Sequence, residues 1–176
     1  AEDEFWIIGS GLAERYHKRF FKQVALPEGT IFESRTEAMC GFNVAGPKSR
    51  DMLQRMTNHS LATEDMPFMR SAQIELAGVK CLALRVSFTG DLGWELHCAT
   101  EDQEKLYAAL LEVGKEFGAG PVGARALMSM RVEKGYGSWS REYSPEYFPH
   151  EVGFGPLCKM QKDFLHKDAA AAQMEK

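Results

Sequence analysis

The chain has 176 residues, of which 44% are hydrophobic and 26% are charged, and its net charge at pH 7 is −4. This composition is typical of a soluble globular protein and excludes a largely disordered chain. The sequence has no basic stripe and no apolar run as long as a membrane span, so we expect neither a nucleic-acid partner nor a membrane partner.

The first segment predicts a short strand followed by a helix. Residues 5–8 are an apolar run, and Gly9-Ser10-Gly11 opens the helix. The order strand, G-x-G, helix is also that of a dinucleotide-binding motif. However, Glu14 stands where the third glycine is needed, and its carboxylate would repel a pyrophosphate, so we interpret Gly9 and Gly11 as turn residues. Apolar residues at four-residue spacing predict a buried helical stripe: Leu12, Tyr16, Phe20 and Val24.

The next segment predicts paired strands and a second helix. Residues 30–33 and 38–44 are expected to pair with each other after a turn at 27–29. Pro47 suits the first turn of a helix. The buried face of this helix would consist of Met52, Leu53 and Met56.

The centre of the chain predicts a hairpin. Apolar residues alternate towards one face of the first strand, as in a half-buried strand: Leu82, Leu84, Val86 and Phe88. Residues 89–93 form the loop, and in the next strand Trp94 and Leu96 point to one face while Glu95 and His97 point to the other. Phe88 and Glu95 are then placed to hold a flat ligand whose edge donates hydrogen bonds. The alternative is that Glu95 lies on an ordinary solvated strand face.

Two further helices are predicted. Thr100 is expected to be the N-cap of the first, with Gln103 completing a capping box, and Gly118 ends it. Its core stripe comprises Leu106, Leu110, Val113 and Phe117. The second helix covers 124–134, buries Leu127 and Met130, and places Arg131 on a charged surface.

The last part of the chain predicts little regular structure. Residues 136–156 are rich in glycine, proline, serine and aromatic residues, which is typical of a long loop. A short strand is expected at 157–160, and a helix begins at Lys167.

The cysteines predict buried thiols. The sequence contains no C-x-x-C pair, and its four cysteines are far apart: Cys40, Cys81, Cys98 and Cys158. We therefore expect free thiols and neither a disulfide framework nor a metal site. Free thiols indicate a reducing compartment, which would be the cytoplasm, or the mitochondrial matrix in a eukaryote.

Four segments together resemble one family. They are residues 42–50, the F-T-G-D-L-G-W-E-L stretch at 88–96 with the three residues before it, 123–136 and 149–153. In this order and spacing they resemble the folate-binding, glycine-cleavage T-protein-like (aminomethyltransferase) module. The branch they resemble most is the C-terminal part of dimethylglycine and sarcosine dehydrogenases.

The resemblance implies an α+β fold with mixed, mostly antiparallel sheets and packed helices. It also implies a tetrahydrofolate site and the passage of a one-carbon unit from an N-methyl amine, dimethylglycine or sarcosine, to give 5,10-methylenetetrahydrofolate. Glu95 matches the family position that grips the pterin edge, where a carboxylate accepts two neighbouring donors. Phe88 matches an aromatic position that is usually tyrosine, so we expect packing there without the hydroxyl contact.

The sequence also departs from the family pattern. Leu127 stands where the T-protein proper has an arginine that contacts folate, so we assign no folate role to Leu127 or to Arg125. The family's catalytic aspartate is expected upstream of residue 1, so we assign no catalytic residue and expect the isolated chain to be inactive.

The resemblance also predicts the domain organisation. Residues 1–160 would form the folate-binding module, either as one unit or as two subdomains that meet near 60–70. Residues 161–176 would begin a C-terminal domain. We interpret the chain as a fragment truncated at both ends, whose partners are an upstream flavin domain, which alone would hold FAD, and the C-terminal domain.

Two other functions remain open from the sequence. The chain could belong to a stand-alone glycine-cleavage-type aminomethyltransferase, or to a non-catalytic regulatory or scaffold relative of the same fold. The missing hydroxyl at Phe88 is compatible with the non-catalytic alternative. Glu95 argues against the non-catalytic alternative, because a protein that no longer uses the ligand has little structural reason to keep a polar residue that contacts it.

Overall fold

The structure, a computed structural model, describes residues 3–139 and 141–174. Contacts divide the chain into two compact units. One, the terminal unit, consists of Ala1–Phe20 with Gly137–Lys176, and the other, the central unit, is Phe21–Tyr136. The region near 60–70, where two subdomains were expected to meet, lies inside the central unit.

The central unit is built on a four-stranded antiparallel sheet with the strand order β1-β4-β3-β2. The strands are β1 (Met39–Ala45), β2 (Ser71–Leu76), β3 (Val79–Leu84) and β4 (Gly93–Ala99). The α-helices of the described residues are α1 (Glu14–Gln23), α2 (Ser49–Gln54), α3 (Gln103–Phe117), α4 (Ala124–Glu133) and α5 (Lys167–Met174). The predicted α+β class with antiparallel pairing is confirmed.

One face of this sheet forms the core. Trp94, Leu96 and Cys98 of β4 are each at most 1% exposed and belong to the same buried cluster as residues of α2 and α3. The predicted alternation of β4 is therefore confirmed, since Glu95 and His97 lie half-buried on the other face. We name the two sides of the sheet the core face and the Glu95 face.

The orientation predicted for β3 is wrong. Cys81 and Ala83 are buried on the core face, whereas Leu82 and Leu84 are half-buried on the Glu95 face. The larger apolar residues of β3, Leu82 and Leu84, do not point into the core. Trp94 and Leu96 of the adjacent strand β4 already occupy the core face, so the smaller residues of β3 lie there. The strand also ends at Leu84, before Phe88.

Three predicted strands are absent from the described residues. Residues 5–8 and 30–33 have no strand structure, and 157–160 begin at the last residue of a short 3-10 turn, Gly155–Leu157, and contain no strand. The partner expected for β1 was 30–33, but β1 pairs with β4 instead, from Met39↔Ala99 to Ala45↔Gly93. Turn hydrogen bonds, Thr30 N–H to Pro27 O and Ala38 N–H to Arg35 O, both at 3.0 Å, lie on either side of residues 31–34, which have no regular structure.

The helices α2, α3 and α5 follow the prediction, with one correction at the start of α3. Met52, Leu53 and Leu106 are buried, and Gly118 ends α3 in the left-handed conformation with φ 70°. Thr100 does not cap α3. Its hydroxyl donates to Glu37 O at 3.1 Å, and a 3-10 turn, Thr100–Asp102, comes before the helix.

The predictions for α1 and α4 are correct in the position of each helix and wrong in which side chains are buried. Leu12 and Tyr16 of the predicted α1 stripe are 85% and 55% exposed. In α4, Arg131 is only 3% exposed, and its Nη1 donates to Tyr136 O at 2.9 Å. Arg131 is buried because it bonds the backbone that follows its own helix. In the described residues, no helix has the length and apolar character needed to span a membrane.

Candidate functional site

The central unit contains a cavity of about 440 Å³. This is within the range of about 300–1,000 Å³ that is usual for small-molecule sites. Most of its wall is apolar, and it includes the stacked rings of Phe42 and Tyr107, whose centroids are 6.0 Å apart at an interplanar angle of 15°. The polar residues in its wall are Asn43, Ser87, Thr89, Asp91 and Tyr107. A flat, mainly apolar ligand with a few polar groups fits such a lining.

Phe88 lies in the wall of this cavity, within the loop that joins β3 to β4. The loop turns at Gly90, which has a φ of 78° and against which the aliphatic part of Lys134 packs. Hydrogen bonds hold the loop together: the Ser87 and Thr89 hydroxyls are 3.1 Å apart, and Thr89 Oγ1 donates to Asp91 Oδ2 at 3.0 Å. Phe88 therefore lies in a loop that is stabilised by hydrogen bonds between its own side chains.

Glu95 is not among the described residues that line the cavity, although its chain neighbour Trp94 and its cross-strand partner Asn43 are. Its side chain is 26% exposed, and its Oε2 is 3.6 Å from His97 Nε2. Apart from this contact, no side chain or backbone group of the described residues is hydrogen-bonded to the Glu95 carboxylate. The acceptor positions of a half-buried carboxylate are thus available to a ligand.

Asn43 connects Glu95 to the cavity. Asn43 lines the cavity, and it is the direct cross-strand partner of Glu95 in the β1–β4 register. The bonds Thr100 N–H to Ala38 O and Gly46 N–H to Leu92 O mark the hydrogen-bonded pairs, which alternate along the ladder. Asn43 and Glu95 are therefore a non-hydrogen-bonded pair, in which side chains approach most closely.

The start of β4 brings the Phe88 loop onto the Glu95 face. A Cβ atom added to Gly93 would lie 2.9 Å from Val44 O and 3.1 Å from the Cβ atoms of Ala45 and Ser87. The missing side chain of Gly93 therefore allows the loop and β1 to meet at this point. Ala45 and Ser87, which both approach Gly93, are also residues of the cavity wall.

Trp94 anchors the site from the core face. Its Nε1–H donates to Met66 Sδ at 3.4 Å, and the guanidinium groups of Arg85 and Arg50 lie 5.0 and 5.9 Å from its ring centre. Burial, and then the positive charge of Arg50, lower the pKa of Arg85 from its usual value. Arg85 also donates to Met66 O at 3.1 Å, which holds the residue just before the Phe88 loop in place.

Leu127 and Met130 of α4 close the cavity on another side. Leu127 is the position where the sequence predicted no polar folate contact, and the structure places an apolar side chain in the wall there. Among the described residues, no group of three or more histidine, cysteine, aspartate or glutamate side chains is arranged to hold a metal ion.

The comparison with known families decides the classification of the chain. The model of the GCVT N-terminal domain matches residues 1–162. The chain belongs to the GCVT N-terminal domain family. The family resemblance inferred from the four sequence segments is thereby confirmed.

Several curated proteins are similar to this GCVT N-terminal domain chain. The mitochondrial dimethylglycine dehydrogenase of Homo sapiens is 31% identical over 170 residues, which cover 94% of this chain and 20% of that protein. The mitochondrial sarcosine dehydrogenase of Mus musculus is 35% identical over 133 residues, with 74% and 14% coverage. The aminomethyltransferase of Thermoanaerobacter sp. (strain X514) is 33% identical over 144 residues, with 81% and 39% coverage. The chain thus spans a fifth or less of the two dehydrogenases and less than half of the aminomethyltransferase.

A solved structure also matches. The heterotetrameric sarcosine oxidase from Corynebacterium sp. U-96, in complex with pyrrole 2-carboxylate, aligns over 55% of this chain and 48% of that chain. The two are 20% identical, with a TM-score of 0.48.

Sequence reasoning missed part of the site in this GCVT N-terminal domain chain. Asn43 and Tyr107 were not singled out, although Asn43 lies in one of the segments that carry the family resemblance. A polar residue between Phe42 and Val44 on a strand was a signal that could have been used. No comparable signal marked Tyr107, which looks like an ordinary surface position of α3. The assignments of Phe88 and Glu95 as ligand-binding residues stay predictions.

Proposed function

We propose that this chain is the tetrahydrofolate-binding part of an enzyme that demethylates an N-methyl amine such as dimethylglycine or sarcosine. The one-carbon unit is passed to tetrahydrofolate, which yields 5,10-methylenetetrahydrofolate. The observation that carries the proposal is that Phe88 lines a cavity of suitable size and that Asn43, the direct neighbour of Glu95, lines the same cavity. Membership of the GCVT N-terminal domain family supports it.

The chemistry of a pterin fits these residues. A pterin is flat and presents an amino group and a ring N–H side by side, and an ionised carboxylate accepts both. Glu95 is half-buried and has acceptor positions available. Phe88 offers apolar ring surface for a face of the heterocycle. Asn43 adds a donor and an acceptor next to Glu95.

In this proposal the chain binds and orients folate and shields it from water. The oxidation of the amine belongs to a flavin domain elsewhere in a longer parent protein, where FAD would supply the two-electron chemistry. None of the residues in this chain is assigned a catalytic role. The parent protein would act in the mitochondrial matrix or the cytoplasm, and the two dehydrogenase relatives are themselves named mitochondrial.

The test compares two identical substitutions on the same sheet face. In the full-length protein, Glu95→Gln should weaken the binding of tetrahydrofolate about ten- to a hundredfold, as expected for the loss of a charge-assisted hydrogen bond. The matched control is Glu75→Gln. Glu75 is an exposed residue of β2, two strands away from Glu95, and its substitution should leave the dissociation constant unchanged. Isothermal titration calorimetry measures both constants.

A second measurement separates folate binding from amine oxidation. The rate at which the amine substrate reduces the flavin should be the same in wild type and Glu95→Gln, whereas the yield of methylenetetrahydrofolate should fall. Equal folate dissociation constants for wild type and Glu95→Gln would overturn the role of Glu95. A parent protein that binds folate and has no amine-oxidising activity would favour the stand-alone aminomethyltransferase, the function named for the Thermoanaerobacter relative.

A further inference from the structure

Two cysteine thiols touch across the sheet, far from each other in sequence. Cys40 on β1 and Cys98 on β4 are register partners, and their Sγ atoms are 3.4 Å apart. Cys98 belongs to the buried cluster at the core face of the sheet, and Cys40 packs against this cluster. Neither residue lines the cavity described above, so their arrangement is independent of the proposed folate site.

The backbone at this pair has the spacing of a disulfide. Ala38–Thr100 is a hydrogen-bonded pair, with 3.0 Å between Thr100 N and Ala38 O, and alternation makes Cys40–Cys98 a hydrogen-bonded pair as well. The Cα atoms of such a pair are about 5.5 Å apart, within the range of about 4.4–6.8 Å found for disulfides. A bond would therefore require movement of the side chains, from the 3.4 Å contact to about 2.0 Å, with little movement of the backbone.

The two thiols differ in reactivity. Cys98 is 1% exposed, and burial raises the pKa of its thiol to about 12, with a further contribution from Cys40. Cys98 therefore remains protonated near neutral pH and is screened from solvent. Cys40 is half-buried on the edge strand of the sheet, so a small oxidant reaches it first.

We propose that Cys40 and Cys98 are a redox modification site that forms a reversible disulfide in response to hydrogen peroxide. The Cys40 thiol releases its proton and its sulfur attacks peroxide; the O–O bond breaks, the departing hydroxide takes up the proton and leaves as water, and Cys40 becomes a sulfenic acid. The Cys98 sulfur then attacks the Cys40 sulfur, the S–O bond breaks, and the oxygen leaves as a second water with the Cys98 proton. In total, two thiols and one peroxide give one disulfide and two waters.

The consequence of this bond is a covalent link between β1 and β4. The link closes a sequence separation of 58 residues, which restricts the unfolded chain strongly. It joins the edge strand that carries Phe42 and Asn43 to the strand that carries Glu95. Oxidation should therefore raise the thermal midpoint of unfolding, and reduction by dithiothreitol should lower it again.

Peptide mapping tests the proposal on the whole chain. The folded protein is treated with hydrogen peroxide, free thiols are alkylated after denaturation, and tryptic peptides are identified by mass spectrometry. Cleavage after Arg85 places Cys81 and Cys98 on different peptides, so each pairing is distinguishable. We expect a dithiothreitol-sensitive cross-link between the peptides of Cys40 and Cys98 and a loss of two of the four free thiols.

Variants provide the controls. Cys40→Ser and, independently, Cys98→Ala should each abolish the cross-link and the increase in the thermal midpoint, whereas Cys158→Ser, the matched control in the terminal unit, should retain both. Circular dichroism verifies that each variant is folded, and the wild-type peptide map does not depend on any variant. A cross-link between Cys81 and Cys98, or oxidation of Cys40 to a sulfinic acid without any cross-link, would overturn the proposal.

Discussion

The two faces of the central sheet are made by the same strands and differ in how deeply their side chains are buried. On the core face, Trp94 and Leu96 are at most 1% exposed and belong to one buried cluster with side chains of α2 and α3. On the Glu95 face, Glu95 and His97 are half-buried, and the side chains have few partners among the described residues. The comparison shows how one strand supplies both the buried core and a half-buried surface, because its side chains alternate between the two faces.

The comparison predicts that equivalent substitutions have unequal effects on the two faces. Leu96→Ala on the core face should lower the free energy of unfolding by about 2–5 kcal/mol, because it leaves a cavity that the neighbours fill only in part. Leu84→Ala, on the Glu95 face of the adjacent strand, should cost about 1 kcal/mol, since Leu84 is only half-buried. Urea unfolding followed by Trp fluorescence measures both. Equal losses would contradict the assignment of the faces.

Gly93 tests whether the Phe88 loop packs tightly against β1 on the Glu95 face. A methyl group there would lie 2.9 Å from Val44 O, a backbone atom that has little freedom to move. Gly93→Ala should therefore destabilise the protein by about 1–3 kcal/mol. Gly120→Ala is the matched control, because no atom lies within 4 Å of the added Cβ. A tolerated Gly93→Ala would mean that the Phe88 loop is not held against β1.

The buried thiols of the core face predict a dependence of stability on pH. Burial is the main cause that raises the pKa of Cys81 from 9.0 to about 11. Above pH 9 the unfolded chain releases this proton while the folded chain keeps it, so stability falls as the pH rises from about 9 to 11. At pH 10 the loss is about 1.4 kcal/mol for one such thiol. Urea unfolding at pH 8 and pH 10 should show a smaller decrease for Cys81→Ala than for wild type, and equal decreases would refute the assignment.

The smallest expected effect on stability is on the Glu95 face itself. Glu95→Gln should change the free energy of unfolding by no more than about 0.5 kcal/mol, because the carboxylate makes only the 3.6 Å contact with His97. The same variant is expected to lose most of its folate affinity. Thermal unfolding of the purified variant, run beside the folate titration, checks the two statements together. A large loss of stability would show that Glu95 supports the fold rather than a ligand.

Local chemistry explains which elements the sequence predicted correctly. In β4, polar and apolar residues alternate strictly, so the pattern identified both the strand and its two faces. In α3, Leu106 and Leu110 share one side of the helix, and Gly118 takes the left-handed conformation that ends it. The F-T-G-D-L-G-W-E-L stretch, with the other three segments, was sufficient to identify the family.

Long-range contacts explain what the sequence did not predict. Tyr16 in α1 follows the same spacing rule as Leu106 in α3, yet Tyr16 is 55% exposed and Leu106 is 0% exposed. Periodicity determines that a segment is an amphipathic helix, but what covers its apolar side depends on other parts of the fold. In the same way, the orientation of β3 depended on the side chains of its neighbour β4.

The sequence by itself determined the fold class, the family, the strands β1 and β4, the helices α2, α3 and α4, and the candidate residues Phe88 and Glu95. Only the tertiary structure decided that β1 pairs with β4, and with it that Asn43 joins Glu95 and that Cys40 touches Cys98. The physical reason is that strand pairing is set by which edges meet when the core face is buried. Such a meeting of residues more than 50 positions apart leaves no periodic signal in either segment.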